Sequence, residues 1–347
     1  MSEEHAVPES PELEALHQRL AENSLGGHWQ SREKPAKLKP WVWPWAAIYS
    51  CLMESGEVVK LGGIDDAAKR RTVQLVNPAI TNLKATSRTI QMSIQLVKPG
   101  ERAECHRHSA AALRFVVEGD GTGYTNVEGE EMLMEPGDLV LTPNWTWHDH
   151  HNESEDPIIW LDGLDGPLIR SLNVLFFEEY EKPEQPVTRE TGESLSRLGF
   201  ARAPKKDETH LRGVPFRYAW QDTYKALKTM SDSERDPYDG TLLRYINPAT
   251  GGFTYPTMSC EIQLFKAREK TRIHRHTSTA LYHVFKGRGR TAVGEGHLEW
   301  KKGDSFVVPL WQPHSHENLS DEEAILFSIN DRPVMEALQL YREEAGN

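Results

Sequence analysis

The chain of 347 residues contains an internal repeat. When the sequence is shifted by 168 positions, residues 94–122 align without a gap on residues 262–290, and 13 of these 29 positions are identical. A second block follows at a shift of 166, where residues 137–152 match residues 303–318 at 7 of 16 positions. A repeat of this length predicts two copies of one domain.

Each copy consists of short runs rich in Val, Ile, Leu and aromatic residues, separated by Gly, Pro, Asn and Asp. RTIQMSIQLVKPG and GEEMLMEPGDLVLTP are examples from the first copy. This spacing predicts an all-β sandwich or barrel with few helices. One helix is expected after the N-cap Ser10 and Pro11. Two more are expected in GPLIRSLNVLFFEEYEK and in RPVMEALQLYREEAG, which closes the chain.

These elements divide the chain into five segments. The polar, proline-bearing stretch that follows the first copy is typical of a linker. We predict a helical and irregular N-terminal arm (1–70), a first barrel domain with the catalytic site (71–181), a linker and irregular segment (182–240), a second barrel domain (241–332) and a C-terminal helix (333–347).

Composition excludes several classes of protein. The net charge is −12 and basic residues form no block, which argues against nucleic acid or an anionic membrane as the main partner. The three cysteines include no CxxC pair, so neither a disulfide framework nor a thiolate zinc site is indicated. The N-terminal sequence lacks the pattern of a signal peptide and no run approaches 18 apolar residues, so we expect a cytoplasmic protein.

Three histidines of the first copy form a candidate metal site. His106 and His108 lie two residues apart in a predicted strand, so they share a face, and His148 follows in a later strand. Imidazole is the commonest side-chain metal ligand. Histidines with ordinary structural roles are the alternative, but that alternative does not explain why all three recur in the second copy, as His274, His276 and His314.

GERAECHRH and GDLVLTPNWTWHDHHN resemble the two motifs of the cupin family. The matching residues are Gly100, His106, His108, Gly137, Pro143, His148 and Asn152. The resemblance implies a bicupin, which is two double-stranded β-helix (jelly-roll) barrels in one chain. Two positions depart from the pattern: the glutamate ligand after His-x-His is missing, and Trp145 replaces a glycine. The implied site therefore has three neutral histidine ligands and no carboxylate.

HRHSAAALRFVVEGDG, PGDLVLTPNWTWHDH and WLDGLD resemble gentisate 1,2-dioxygenases and the related salicylate and 1-hydroxy-2-naphthoate dioxygenases. The resemblance implies Fe(II), one per catalytic barrel, and often a homotetramer. It implies that gentisate and O2 become maleylpyruvate by cleavage between the carboxyl-bearing and hydroxyl-bearing carbons. A substrate such as gentisate chelates iron through its carboxylate and 2-hydroxyl. Its second hydroxyl, para to the first, makes the ring easier to oxidise.

Arg114 is the candidate partner of the substrate carboxylate. It lies six residues after His108, so strand parity places it on the face of the ligands. An inward arginine in an apolar barrel is costly unless an anion pairs with it, and its planar fork suits a carboxylate. A surface salt bridge is the alternative. The second copy has Tyr282 at this position, from which we infer that the first barrel handles the acid.

Other candidates follow from the resemblance. Gln95 resembles a residue that contacts substrate oxygens, and His150 one that hydrogen-bonds the substrate. Both recur in the second copy, so structural roles stay open for them. Asp162 resembles a proposed base that helps ionise the ring hydroxyl, and its counterpart is Ser328.

The remaining candidates for substrate binding are Arg70, Arg71 and Trp145. Either arginine is a candidate for a second carboxylate clamp, and the sequence does not choose between them; a solvated charge run is the alternative. Trp145 is a candidate wall of an aromatic pocket, or a core residue.

The second triad (His274, His276 and His314) binds metal, is a relic of a metal site or belongs to a scaffold for oligomer contacts. Without counterparts of Arg114 and Asp162 we expect no turnover there. Salicylate or 1-hydroxy-2-naphthoate remains the alternative substrate. A non-catalytic storage or ligand-binding bicupin, or a manganese bicupin acting on oxalate, is the alternative from another class. The missing glutamate ligand argues against the manganese enzyme.

Overall fold

The structure, a computed structural model, describes residues 10–29, 37–61, 70–198, 216–230 and 232–346. Part of the predicted linker therefore lies outside the described residues. The chain forms two units, Met1–Lys37 and Leu38–Asn347. The first unit holds helix α1 (Pro11–Glu22), which begins as predicted: Ser10 Oγ accepts from the backbone N–H of Leu13 at 3.2 Å, and Pro11 occupies the first turn.

The second unit contains both barrels. Its elements before the first barrel are β1 (Trp41–Trp43) and α2 (Trp45–Val58). The first copy then supplies β2 (Thr72–Gln74), β3 (Gln91–Val97), β4 (Arg102–His108), β5 (Ala112–Glu118), β6 (Tyr124–Val127), β7 (Glu130–Leu133), β8 (Leu139–Thr142), β9 (His148–His151), β10 (Ile158–Leu164), α3 (Gly166–Ser171) and β11 (Phe177–Glu179).

The second copy repeats this order. After α4 (Glu193–Leu198) come β12 (Phe216–Tyr218) and α5 (Trp220–Thr229), and then the elements β13 (Thr241–Arg244), β14 (Ser259–Phe265), β15 (His274–His276), β16 (Ala280–Lys286), β17 (Arg288–Val293), β18 (Gly296–Lys301), β19 (Ser305–Val308), β20 (His314–Asn318), β21 (Ala324–Asn330), α6 (Arg332–Ala337) and β22 (Glu343–Ala345). The predicted linker is thus not irregular throughout.

Each barrel is formed by facing antiparallel sheets. In the first barrel, a sheet in the order β12-β8-β5-β10-β3-β2 faces a sheet in the order β11-β4-β9-β6-β7. In the second, β1-β19-β16-β21-β14-β13 faces β18-β17-β20-β15-β22. The bicupin expectation is confirmed, and the matching orders show that the sequence repeat is a repeat of structure.

The core between the barrels follows from strand alternation, because successive side chains point to opposite faces. Leu113 and Phe115 of β5 belong to an apolar cluster that also contains residues of the second barrel, and Phe115 stacks on Phe327 with ring centroids 4.2 Å apart. Arg114 and Val116 alternate with them and point into the first barrel. The same alternation that packs the barrels together therefore turns an arginine inward.

The two copies exchange their leading segments. β1 pairs with β19 of the second barrel, whereas β12 pairs with β8 of the first. A helix follows each strand, and its first residue is anchored in the same way. The backbone N–H of Trp45 donates to Asp304 at 2.7 Å, and that of Trp220 donates to Asp138 at 2.8 Å. The arm that precedes each barrel is thus part of the other barrel's sheet.

Gly137 and Gly303 make room for these arms. Both have positive φ, +92° and +89°, a conformation that favours glycine. A Cβ on Gly137 would lie 2.6 Å from the Trp220 ring, and one on Gly303 would lie 2.4 Å from the Trp45 side chain. These glycines of the second cupin motif therefore serve the packing of the exchanged arms.

The predicted C-terminal helix over 333–347 is wrong beyond its first turns. α6 ends at Ala337, Gln339 has φ +59°, and residues 343–345 form β22 against β15. The segment after the first barrel has the same structure as this C-terminal segment. α3 is short, Asn173 has φ +58°, and β11 pairs with β4. In both copies a left-handed residue ends the helix, and pairing with a strand edge prevails over helix propensity.

The three cysteines are free thiols, with Cys51 exposed and both Cys105 and Cys260 buried. This agrees with the absence of a disulfide framework that the sequence predicts. Among the described residues, every helix is too short or too polar to span a membrane.

Candidate active site

The first triad lies at one end of two paired strands. β4 carries His106 and His108 on one face, and its register places His106 opposite His148 of β9. The ring centroids are 5.3 Å apart for His106 and His108, 4.4 Å for His106 and His148, and 5.0 Å for His108 and His148. One candidate ligand atom from each ring lies within 4.8 Å of the others. The predicted convergence of the three histidines is therefore present in the fold.

The outer nitrogen of each imidazole is held by a backbone carbonyl. Nδ1 lies 3.2 Å from Glu104 O in His106, 2.7 Å from Ala110 O in His108 and 3.0 Å from Thr146 O in His148. In the tautomer of His108 and His148 that donates these bonds, Nε2 carries the lone pair. Nε2 of His148 is buried and has no hydrogen-bond partner. Tethering of this kind orients histidines for a metal.

Burial keeps the triad neutral. Desolvation, followed by the charge of Arg70, lowers the pKa of His106 to about 2, and desolvation lowers that of His108 to about 4. The pKa of His148 is also far below its ordinary value because of burial, with a further contribution from His106. Metal ligands must be deprotonated, so these three imidazoles are in the required form at neutral pH.

Arg114 and Asp162 face each other across β5 and β10. Nε of Arg114 lies 3.6 Å from Oδ1 of Asp162, both side chains are buried, and Arg114 also donates to Thr142 Oγ1. Oδ1 of Asp162 accepts from Trp160 Nε1 at 2.9 Å. Burial raises the pKa of Asp162 to about 6, against the opposing effect of Arg114. Arg114 is therefore an inward cation and not a surface salt bridge.

The structure separates Arg70 from Arg71. Nη2 of Arg70 donates to Glu104 O at 2.7 Å and lies 2.6 Å from Nδ1 of His106, so this arginine lines the cavity of the triad. Arg71 makes two bonds to Glu101, at 2.7 and 2.8 Å, and donates to Val59 O. Arg71 is thus engaged outside the cavity, and its assignment to the substrate site does not fit the structure.

The cavity has a volume of about 230 Å³. It is lined by the triad, by Arg70, Arg114 and Asp162, and by polar residues of β2 and β3, which are Thr72, Gln74, Gln91, Ser93 and Gln95. Gln95 was expected here, and its Nε2 is buried without a partner. The other four polar residues were not predicted from the sequence, although their spacing of two residues within each strand places them on one face.

His150 is not among the residues that line this cavity, although its ring centroid lies 5.9 Å from that of His148, which does line it. It is buried inside the barrel, with Nδ1 2.9 Å from Thr125 Oγ1 and its ring 4.9 Å from that of Trp160. Its counterpart His316 has the same contact with Thr291 Oγ1, also at 2.9 Å. The repetition favours the structural role that the sequence left open for His150.

Trp145 also lies outside the cavity. It has φ +61°, as expected where the motif normally has glycine, and the guanidinium of Arg107 stacks over its ring at 4.7 Å. Trp311 in the second copy has the same φ and is stacked by Arg275 at 4.5 Å. The assignment of Trp145 to the substrate pocket is therefore not supported, because the cation–π contact with Arg107 holds its ring outside the cavity.

Comparisons with known proteins agree with this geometry. The cupin domain family matches residues 93–163 and 262–330. A 5-aminosalicylate 1,2-dioxygenase from Comamonas sp is 38% identical over 345 residues, covering 96% of this chain and 90% of that protein. A gentisate 1,2-dioxygenase from Aquipseudomonas alcaligenes is 36% identical, covering 96% of both. The chain belongs to the bicupin family of ring-cleaving 1,2-dioxygenases.

A comparison with a solved structure shows that the similarity extends to the fold. Salicylate 1,2-dioxygenase from Pseudoaminobacter salicylatoxidans, crystallised as adducts with gentisate, superposes with a TM-score of 0.86 at 31% identity. The match covers 100% of this chain and 97% of that one. Members of the family are metalloenzymes, and the tethered, neutral imidazoles of the first triad fit a bound metal ion.

The second triad of the dioxygenase has different surroundings. Its cavity measures about 40 Å³, and Tyr282 and Ser328 occupy the positions of Arg114 and Asp162. The carboxylates of Asp239 and Glu343 lie 4.0 and 3.4 Å from nitrogens of His274. The two triads thus share ligand geometry but not the groups around it.

Proposed function

We propose that the dioxygenase converts gentisate and O2 to maleylpyruvate, using Fe(II) bound by His106, His108 and His148. The ring opens between the carbons that carry the carboxylate and the 2-hydroxyl, and both oxygen atoms are incorporated. The observation that carries the proposal is the placement of the triad, Arg114 and Asp162 in one cavity. A metal, a carboxylate partner and a base for the hydroxyl are the groups that this reaction requires.

The ligand set fits a divalent transition-metal ion, and among such ions the ring-cleaving reaction favours Fe(II). Three neutral imidazoles leave the full charge of a divalent ion and open coordination positions, which favours chelation by an anionic hydroxy acid. When bound, Fe(II) supplies the electron transfer between substrate and O2 that ring cleavage requires.

Arg114 and Arg70 supply the positive charge for the substrate carboxylate. Both guanidinium groups line the cavity with the triad. A buried guanidinium attracts a carboxylate strongly and can hold it through two parallel hydrogen bonds. Arg114 Nε is buried and makes no hydrogen bond, with Asp162 Oδ1 3.6 Å away, so a substrate oxygen would supply an acceptor at closer range.

Asp162 is placed to accept the proton of the 2-hydroxyl. Its pKa of about 6 means that the carboxylate is ionised at neutral pH yet is a stronger base than an exposed aspartate. Removing the hydroxyl proton gives a phenolate, which is oxidised more readily than a phenol.

A donor group para to the 2-hydroxyl favours gentisate over salicylate. The 5-hydroxyl makes the ring easier to oxidise, and the polar residues of β2 and β3 offer hydrogen bonds within the cavity. A 5-amino group has the same electronic effect. 5-Aminosalicylate is therefore the second candidate, supported by the name of the relative from Comamonas sp.

Oxygen uptake tests the proposal. Anaerobically prepared, Fe(II)-loaded protein is mixed with O2 and gentisate, 5-aminosalicylate, salicylate or 1-hydroxy-2-naphthoate in parallel. We expect the highest kcat/KM with gentisate, one O2 consumed per ring and a product heavier by 32 mass units, which is the mass of O2. Faster uptake with another acid would keep the reaction class and change the substrate. No uptake by iron-bound protein with any acid would leave a non-catalytic bicupin as the better account.

A further inference from the structure

The segment between the candidate ligand His108 and Arg114 turns the corner from β4 to β5. Its Ala110 O holds Nδ1 of His108 at 2.7 Å. Ala112 lines the cavity, and Arg114, two residues further along β5, faces the same side. The position of this corner segment, residues 109–112, therefore sets the orientation of one candidate ligand and the place of the arginine proposed to bind the substrate carboxylate.

Three of the four residues in the corner segment are alanines. Ala110, Ala111 and Ala112 are buried, with 2%, 0% and 1% of their surface exposed. A methyl side chain forms no hydrogen bond, so the side chains at these positions cannot anchor the backbone to its surroundings. The polar groups that hold the backbone there must come from other elements.

Two hydroxyl groups of the second copy hold the corner segment. Both belong to the loop that joins β13 to β14. The Tyr255 hydroxyl donates to Ala112 O at 2.7 Å, and Tyr255 is only 1% exposed. Thr257 Oγ1 donates to Oδ2 of Asp165 at 2.6 Å. Oδ1 of the same carboxylate accepts from the backbone N–H of Ala111 at 2.8 Å, so Asp165 bridges the second copy to the corner segment.

The loop that carries these hydroxyls is itself ordered. The backbone N–H of Tyr255 donates to Met258 O at 3.0 Å. Thr254 Oγ1 donates to Tyr245 O at 3.0 Å and accepts from the backbone N–H of Cys260 at 3.2 Å. Four of these residues, all except Thr254, belong to the apolar cluster that both barrels share. The two hydroxyls therefore have fixed positions relative to the common core.

The first copy holds the second barrel through the same bridge. Thr89 lies at the position of Thr257 in the repeat, and its Oγ1 donates to Oδ2 of Asp331 at 2.7 Å. Oδ1 of Asp331 accepts from the backbone N–H of Thr279 at 2.7 Å. The reciprocal bridge provides a matched position, at which the same contact serves the barrel that lacks the acid-binding groups.

The tyrosine contact distinguishes the two directions. Tyr255 aligns with Ser87 in the repeat, and Ser87 Oγ donates to Ile90 O at 3.0 Å within its own loop. The additional hydrogen bond of Tyr255 thus lies on the side where β5 carries Arg114. Precise placement matters most on that side, because a shift of about 1 Å in a group that positions a substrate can cost about 100-fold in rate.

We propose that Tyr255 and Thr257 are positioning residues for ring cleavage, which the second copy supplies to the cavity of the first barrel. Tyr255 acts on Arg114 through the start of β5, and Thr257 acts on His108 through Asp165 and the corner segment. This inference rests on the proposed function of the first cavity. It gives the second copy a part in the reaction that requires neither turnover nor a ligand at its own triad.

Hydrogen–deuterium exchange of the full-length chain tests the contacts without a substrate. Thr257→Val and Thr89→Val make the same change at matching positions of the repeat. We expect peptides that cover residues 109–115 to exchange at least about 5-fold faster in the Thr257→Val protein. In the Thr89→Val protein, peptides that cover residues 277–283 should do so instead. Unchanged exchange of residues 109–115 in folded Thr257→Val protein would overturn the proposal.

Steady-state rates show whether the contacts serve the reaction or only the fold. Fe(II)-loaded variants are compared with the acid that the parent protein turns over fastest. Tyr255→Phe should raise KM about 5-fold and keep kcat within about 2-fold, and Thr257→Val should lower kcat/KM about 10-fold. Thr89→Val should lower the unfolding temperature as much as Thr257→Val does, yet keep kcat/KM within about 2-fold. Equal losses of kcat/KM in the two threonine variants would overturn the positioning role.

Two further variants serve as controls. Tyr218→Phe removes a hydroxyl that donates to Ile246 O at 2.6 Å beside the same apolar cluster, and KM should stay within about 2-fold. Thr257→Ser keeps the hydroxyl and should restore the exchange and kcat/KM of the parent to within about 2-fold. If Thr257→Val fails to fold, Tyr255→Phe decides, since a KM no higher than that of Tyr218→Phe would contradict the proposal. Absence of turnover by the parent with every acid would instead count against the proposed function, because the exchange pattern needs no substrate.

Discussion

The two barrels have the same strand order and the same three-histidine geometry, yet opposite charges lie beside the histidines. In the first barrel, the charged residues of the described cavity wall are Arg70, Arg114 and Asp162. In the second, Asp239 and Glu343 lie beside His274. An added divalent ion would therefore leave the first cavity strongly positive and the second close to neutral. The ligand triad therefore suits a metal in both barrels, whereas the surrounding charges decide whether an organic acid can join it.

The largest effect should come from the first triad. His148→Ala removes a buried metal ligand, and we expect ring cleavage to fall at least about 10³-fold. Ser328→Ala is the matched change in the second cavity, where it replaces the counterpart of Asp162, and it should leave kcat within about 2-fold. Oxygen uptake by both folded variants checks this, and comparable losses would show that the barrels do not divide their roles as described.

Asp162 should set the acidic limb of the pH profile. Its pKa is about 6, so the ionised base is present above this pH, and kcat/KM should decline as the pH falls through about 6. Asp162→Asn should lower kcat about 10²- to 10³-fold and abolish this limb. A limb that persists unchanged in the variant would assign the ionisation to another group.

Arg114→Met should separate binding from pH dependence. Loss of the cation that faces the substrate carboxylate is expected to lower kcat/KM about 100-fold. Because Arg114 lowers the pKa of Asp162, its removal should also move the acidic limb to higher pH. Tyr282→Phe, the corresponding change in the second barrel, is the control for both effects. Steady-state rates from pH 5 to 9 measure both effects, and a limb that stays in place would contradict the coupling.

Substitutions of the neighbouring Arg70 and Arg71 should have smaller effects, and the two should change different properties. Arg70→Met should raise KM for gentisate about 10-fold, because Arg70 lines the cavity. Arg71→Met should leave KM unchanged but lower the free energy of unfolding by about 2 kcal/mol, since it removes a buried guanidinium from its pair with the partly exposed Glu101. Denaturant unfolding and initial rates measured on both proteins would reveal a reversal of these roles.

The smallest effects should be equal in the two barrels. Gly137→Ala and Gly303→Ala each place a Cβ against a tryptophan of the exchanged arm at positive φ. We expect each to lower the free energy of unfolding by about 2 kcal/mol. Thermal unfolding measures this. A large loss at only one of the two glycines would show that the arms are not equivalent.

Much of the first site follows from the sequence, because strand parity needs only local spacing. The convergence of His106, His108 and His148, and the inward direction of Arg114, are of this kind. The repeat also supplies an internal control, since Tyr282 and Ser328 mark where the second copy loses the acid-binding groups. The residues of the first site lie on neighbouring strands, and the sequence motifs mark which strands those are.

Other features depend on contacts between distant segments. Glu343 reaches His274 from 69 residues along the chain, and strand pairing at the end of the chain prevails over a helical pattern. The exchange of arms was not predicted either, although Trp45 and Tyr49 have the same spacing as Trp220 and Tyr224. Strand parity also could not decide which of Arg70 and Arg71 faces the cavity. The side of a strand that points inward is known only once the strand's pairing partner is known.

The most direct test of the division between the barrels is a crystal structure of the Fe(II)-loaded protein soaked anaerobically with gentisate. We expect one gentisate in the first barrel, with its carboxylate against Arg114 and its 2-hydroxyl near Asp162. We expect no gentisate in the second barrel, where the cavity at the triad measures about 40 Å³. Gentisate at the second triad, or gentisate bound in the first barrel without contact to Arg114, would contradict this division.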